Sequence, residues 1–126
     1  MDSFQLSLLP GRFEIYRFPS ETVWNELVLA GSFFCVTRTS EELSVVTEEG
    51  RLSGVRSEKG WRCLKVHGPF AFGSTGVIAS LSKCLADAGI PIFVISTFDT
   101  DYLLVKEEYL EPARKALSGC GHRPGW

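Results

Sequence analysis

IFVISTFDTDYLLVK, residues 92–106, carries the strongest structural signal in the sequence. Two segments rich in β-branched and aromatic residues flank a short polar turn, and this pattern predicts a β-hairpin. The turn is dense in side-chain oxygen atoms, which come from Ser96, Thr97, Asp99, Thr100 and Asp101. Such residues fix a turn through hydrogen bonds to the local backbone, and they also suit a small polar ligand.

Strand and helix signals surround this hairpin. We predict a strand over residues 62–67, a helix over 74–88 and a second helix over 107–117. A Gly-rich passage links the strand to the first helix, and Ser74 can cap that helix. The buried stripe of the first helix is predicted from apolar residues at helical spacing: Val77, Leu81, Leu85 and Ala88.

The first half of the sequence indicates mainly short strands. Turn residues such as Pro10-Gly11 separate its apolar segments. A short helix is predicted over residues 20–28, and the polar residues 48–60 are the best linker candidate. Strands are predicted over residues 5–9, 13–18, 33–37 and 43–47.

The two halves also resemble each other. A shift of about 59 residues places Phe34-Cys35-Val36-Thr37 on Phe93-Val94-Ile95-Ser96. We therefore predict two modules, residues 1–58 and 59–126, as a tandem repeat. The expected class is α+β and ferredoxin-like, with antiparallel sheets and helices packed on one face of each sheet.

The order strand–helix–strand–strand–helix, with a glycine turn before the first helix, resembles an ACT domain, a small regulatory module that binds amino acids. The hairpin, together with LSLLPGRFEIY at residues 6–16 and FCVTRT at 34–39, is similar to one branch of that family. This branch comprises small tandem-ACT proteins related to aspartate kinase regulatory domains and to cytosolic arginine sensors. One departure is the short tail after Leu117, so the usual closing strand is either abbreviated or supplied from elsewhere.

The resemblance implies a ligand site where the first strand runs into the first helix, facing the start of the next hairpin. The backbone amides of residues 73–76 would hold a carboxylate, and Asp99 or Asp101 an amine, with Asp101 placed slightly ahead. An ordinary helix cap and ordinary turn chemistry are the alternatives. The implied ligand-binding residues are Phe72, Gly73, Ser74, Thr75, Gly76, Val77, Ser96, Thr97, Phe98, Asp99, Thr100 and Asp101.

The composition of the chain argues against two classes of binding partner. A net charge of −2 without a Lys/Arg cluster argues against nucleic acid, and the apolar runs are too short for a membrane span. No secretory signal is visible, so we expect a cytoplasmic protein with reduced thiols at Cys35, Cys63, Cys84 and Cys120. No cofactor and no catalytic residue are predicted. No metal site is predicted either, because neither His67 nor His122 has a partner at metal-ligand spacing.

The sequence therefore predicts a non-enzymatic regulatory protein that senses a free amino acid at an interface between ACT modules. Its macromolecular partner would be a second copy of the chain or an enzyme that it regulates. One rival is a ligand-free module for protein–protein interaction or oligomerisation. The other rival is a small enzyme, for which the sequence offers only the carboxylates of Asp99 and Asp101.

Overall fold

A computed structural model of the chain describes residues 3–27, 29, 31–68 and 75–126. It contains two compact units. We call Met1–Pro10 with Arg62–Trp126 the terminal unit, because it contains both chain ends, and Gly11–Trp61 the inserted unit. These units group residues by contact, whereas the module boundaries predicted above concern the internal repeat and stay a prediction.

In the described residues, five strands precede the first α-helix of the chain, and two further strands separate it from the second helix. The helices and strands are β1 (Gln5–Leu8), β2 (Phe13–Phe18), β3 (Cys35–Arg38), β4 (Leu43–Glu48), β5 (Arg56–Val66), α1 (Val77–Asp87), β6 (Phe93–Ser96), β7 (Asp101–Lys106), α2 (Leu110–Gly119) and β8 (Arg123–Pro124).

In the terminal unit the strands lie in the order β8–β1–β5–β7–β6. Strand β1 is antiparallel to β5, with Leu6 opposite Val66, and β6 is antiparallel to β7. Strand β8 has only two residues and pairs in parallel with β1. The strand after α2 is thus abbreviated, as one of the two expected alternatives has it. The neighbour of β5 on this side of the sheet is the N-terminal strand β1, which is supplied from elsewhere in the chain.

Both helices of the terminal unit pack on one face of its sheet. Alternate residues of the strands point to this face, because side chains on a β-strand alternate between the two sides. The buried cluster there comprises Leu6, Leu64, Val66, Leu81, Cys84, Leu85, Ile90, Leu103, Val105, Ala113 and Leu117. This arrangement confirms the predicted α+β class with helices on one face.

The helices differ from their predicted bounds at the ends. Helix α1 is preceded by Gly76, whose φ of +85° is left-handed and easy only for glycine, and Ser74 lies outside the described residues. Leu81 and Leu85 are buried as predicted, but the helix ends at Asp87 and leaves Ala88 exposed. Helix α2 begins three residues after its predicted start, because Glu107–Tyr109 form a 3-10 turn.

The inserted unit is a sheet in the order β3–β4–β2–β5, to which β5 contributes its first residues. Its core is made by Tyr16, Phe18, Leu43 and Val45. The linker predicted over residues 48–60 is wrong in its second part, because residues 56–60 belong to β5. These residues are charged or small and show no apolar pattern, because this part of the strand stays largely exposed.

The helix predicted over residues 20–28 is also wrong within the described residues, which contain only a 3-10 turn at Trp24–Glu26. Val23 and Trp24 are exposed, so this segment has no continuous apolar face to pack. An isolated helix of this length is marginal without such packing.

The cysteine prediction is wrong for one pair. Cys84, in α1, forms a disulfide with Cys120, which follows α2. Cys35 and Cys63 are free thiols, and Cys63 is buried. The pairing depends on the antiparallel packing of the two helices, which local sequence does not reveal.

Candidate functional site

A cavity of about 300 Å³ lies in the terminal unit where the end of β5 meets the β6–β7 turn. We call it the hairpin cavity. It is lined by residues from these two places in the chain: Lys65, His67, Gly68, Thr97, Asp99, Thr100 and Tyr102. The hairpin turn therefore lies beside the strand end from which the Gly-rich passage departs.

Hydrogen bonds within the turn fix its shape. The Thr97 N–H donates to the Thr100 carbonyl oxygen at 2.8 Å. The Thr97 hydroxyl donates to the same oxygen at 3.1 Å and accepts from the Thr100 N–H at 3.3 Å. The side chain of Thr97 thus satisfies backbone groups that a turn would otherwise leave to water.

A further hydrogen bond attaches the turn to β5. The buried hydroxyl of Thr100 donates to the Val66 carbonyl oxygen, next to the cavity residues Lys65 and His67. This contact joins the two walls of the hairpin cavity. A threonine was predicted here only as a ligand-binding residue, and its structural role depends on a strand that is distant in sequence.

Two polar residues of β5 and its end line the first wall. Leu64 and Val66 face the helices, so Lys65 and His67 lie on the opposite face of the sheet. His67 Nε2 is hydrogen-bonded to the hydroxyl of Ser7, which belongs to β1. This bond orients the imidazole ring at the edge of the cavity.

The two candidate aspartates of the turn lie in different places. Asp99 lines the hairpin cavity. Asp101 begins β7 on the same face as Leu103 and Val105, which pack against the helices, and its carboxylate accepts a hydrogen bond of 2.5 Å from the Ser96 hydroxyl. The structure therefore places Asp99, and not the slightly preferred Asp101, beside the cavity.

The residues predicted before and at the start of α1 are not among the described lining of the cavity. Phe72, Gly73 and Ser74 lie outside the described residues. Thr75 is exposed, and Gly76 and Val77 form the start of α1, so none of the three is in the described lining of the cavity.

Within the turn, Phe98 is 77% exposed. Four lining residues were not predicted as site residues: Lys65, His67, Gly68 and Tyr102.

Neither a metal centre nor a membrane segment emerges from the described parts of the chain. They contain no cluster of three or more His, Cys, Asp or Glu residues that could hold a metal ion. None of the helices described above is long and apolar enough to span a membrane.

Replacement Thr100→Val tests the attachment of the turn to β5. We expect it to lower the free energy of unfolding by about 1–2 kcal/mol, since the Val66 carbonyl loses its buried donor. The measurement is urea unfolding. Thr37→Val, the same replacement at an exposed position of β3, is the control. Equal stability of Thr100→Val and the wild type would show that this hydrogen bond does not secure the turn.

Comparison with known proteins agrees with the fold. A family model described as the ACT domain matches residues 56–119. The crystal structure of an Agrobacterium tumefaciens protein is 38% identical and superimposes with a TM-score of 0.88, covering 98% of this chain and 93% of that chain.

Two aspartate kinase structures share the fold at low identity. The regulatory subunit of aspartate kinase from Thermus thermophilus, in a ligand-free form, is 12% identical with a TM-score of 0.63, covering 91% of this chain and 96% of that chain. Aspartate kinase from Clostridium acetobutylicum is 10% identical with a TM-score of 0.72, covering 96% of this chain but only 35% of that enzyme. The matched residues 56–119, the ferredoxin-like order of the elements and these likenesses together show that the chain belongs to the ACT domain family.

Proposed function

We propose that this chain is a non-enzymatic regulatory protein that binds a free amino acid in the hairpin cavity. The observation that carries the proposal is the presence of opposite charges, Lys65 and Asp99, on the two walls of one cavity. An amino acid carries an ammonium and a carboxylate at neutral pH. Asp99 would accept from the ammonium and Lys65 would donate to a carboxylate of the ligand through charge-assisted hydrogen bonds.

The fold and size of the site support this proposal. The cavity belongs to the unit that contains most of the ACT match. Its volume, about 300 Å³, is at the lower end of small-molecule sites and suits a ligand of amino-acid size. The predicted contribution of backbone amides from residues 73–76 remains part of the proposal, as does a cytoplasmic location.

Thermal unfolding in the presence of each common amino acid tests the proposal. A ligand at a hundred times its dissociation constant should stabilise the protein by about 2.7 kcal/mol. Asp99→Asn should weaken the binding about tenfold, because it removes the charge that holds the ammonium. Asp101→Asn is the matched control and should retain the wild-type affinity. A folded protein that no amino acid stabilises would contradict the proposal.

A ligand-free interaction module is the second candidate, favoured by strand β6. Within the described strands β6 pairs only with β7, and Val94 at this edge is 38% exposed. An unpaired edge can add a strand from a second copy of the chain or from a partner enzyme. This candidate predicts self-association without any response to amino acids, so sedimentation measured with and without ligand separates it from the first.

A further inference from the structure

We propose that the hairpin cavity selects an acidic amino acid, which carries a second carboxylate on its side chain. The inference rests on the proposed function and narrows its ligand class. It follows from the charges that the cavity presents and from the spacing of Lys65 and His67 on one wall.

The described lining of the cavity holds groups of both charge types. It contains one carboxylate, from Asp99, one ammonium, from Lys65, and one imidazole, from His67. The nearby carboxylate of Asp101 lies on the helix side of the sheet and is hydrogen-bonded to Ser96. One anionic group therefore faces two groups that can donate to anions.

Ligand classes differ in how they match these groups. The ammonium of any amino acid donates to Asp99, and in an acidic ligand the α-carboxylate accepts from His67, which leaves Lys65 as the donor for a further carboxylate. A neutral side chain leaves the other donor without a charged partner. A basic side chain would bring a second positive charge to Lys65 and His67, and the described lining holds no second carboxylate to receive it. A side-chain carboxylate matches the remaining donor.

Lys65 and His67 lie next to each other on one wall of the cavity. They are two residues apart on extended backbone, so their side chains project from the same face of the sheet. Two carboxylates of one small ligand can therefore meet both donors on this wall. When Ser7 donates to His67 Nε2, the neutral ring carries its proton on Nδ1, which can donate to a carboxylate.

Isothermal titration calorimetry at neutral pH and low ionic strength tests the inference with two isosteric pairs of probes. Aspartate is compared with asparagine, and glutamate with glutamine, while lysine represents the basic class. We expect one acid to bind about tenfold more tightly than its own amide, since a hydrogen bond between charged groups is stronger than one to a neutral amide.

Variants then assign the preference to the proposed residues. Lys65→Met should reduce the acid-to-amide ratio to about threefold or less. Lys115→Met, on the exposed side of α2, is the matched control and should keep the wild-type ratio. Asp99→Asn should weaken the acid and the amide by the same factor, because both carry the ammonium.

The outcomes separate this inference from the proposed function. Tighter or equal binding of an amide or of lysine would overturn the acidic class while leaving an amino-acid-binding protein. An acid preference that persists in Lys65→Met would overturn the role of Lys65 in selecting the acid. A folded protein that binds none of the common amino acids would overturn the proposed function itself.

Discussion

Removing the Cys84–Cys120 disulfide is expected to lower the midpoint of thermal unfolding by about 12–16 °C. The bond joins positions 36 residues apart in sequence, in α1 and just after α2. In the chain-entropy description, closing a loop of this size in the unfolded chain stabilises the folded state by about 3–4 kcal/mol. For a chain of this length, each kcal/mol corresponds to roughly 4 °C.

Cys120→Ser is the best variant for this measurement. It removes the bond at its exposed end and leaves the Cys84 sulfur in the core, where it packs with Leu81 and Leu85. Cys35→Ser, at a free cysteine, is the matched control and should change the midpoint little. Reductant should lower the midpoint of the wild type and of this control, but not that of Cys120→Ser.

Thiol labelling provides an independent check of the same pairing. In the folded, oxidised protein an alkylating reagent should modify Cys35 alone. Burial raises the pKa of the Cys63 thiol to about 12, so this group stays protonated and unreactive. Rapid labelling of Cys120 without reductant would contradict the disulfide, as would a wild-type midpoint that reductant leaves unchanged.

Local sequence accounts for the hairpin and for the middles of both helices. The segments around Phe93–Ser96 and Asp101–Lys106 combine β-branched residues with strong turn chemistry, and both signals act over a few residues. Leu81 and Leu85, and likewise Ala113 and Leu117, show the helical spacing of a buried face. The class of the fold follows from these elements and their order.

Sequence could not reveal contacts between distant segments. The position of β1 beside β5 and the pairing of Cys84 with Cys120 both depend on packing across many residues. The same limit applies to the candidate site. Asp99 was predicted from the turn, but Lys65 and His67 line the same cavity because β7 pairs with β5 and the Thr100 hydroxyl attaches the turn to the end of β5.

One signal in the sequence could have indicated these missed residues. Lys65 and His67 alternate with Leu64 and Val66, and this alternation marks a strand with a polar face. The polar face of a strand that leads into a predicted ligand loop is a natural wall for the ligand. Sequence alone could not show, however, that this strand end lies opposite Asp99 of the hairpin turn.

A large loss of stability is also expected when Glu14 is replaced. This residue is a buried carboxylate in the core of the inserted unit. It accepts hydrogen bonds from the Tyr16 hydroxyl at 2.6 Å, from the Gly50 N–H at 3.0 Å and from the Ser57 hydroxyl. The Tyr16 oxygen in turn accepts from the Leu52 N–H at 3.2 Å. The carboxylate thus joins β2, β5 and the residues after β4 through one network.

Replacement Glu14→Ala should lower the free energy of unfolding by about 3 kcal/mol, because it leaves the buried Tyr16 hydroxyl and the partly buried donors of Gly50 and Ser57 without their acceptor. Glu14→Gln keeps the shape and part of the hydrogen bonding, so its cost should be about half as large. Glu26→Gln, at an exposed position in the 3-10 turn, is the matched control. Urea unfolding at neutral pH measures all three variants.

Acid provides the test that is specific for the charge. Burial by itself would raise the pKa of the Glu14 carboxyl, but the hydrogen bonds from Ser57, Tyr16 and Gly50, with Lys59 nearby, outweigh it and lower the pKa below 4.5. A carboxyl whose pKa is lower in the folded than in the unfolded state stabilises the fold above the unfolded pKa. This contribution is lost as the pH falls through the folded value.

The difference in unfolding free energy between the wild type and Glu14→Gln should therefore be constant near neutral pH and shrink below about pH 4.5. The comparison cancels the other carboxyl groups, including the exposed Glu111, whose pKa is also lowered, through its hydrogen bonds with Arg114. A difference that stays constant down to the acid transition would show that the network does not depend on the charge of Glu14. The expected convergence at low pH would identify this carboxylate as the group that holds the residues after β4 against the sheet of the inserted unit.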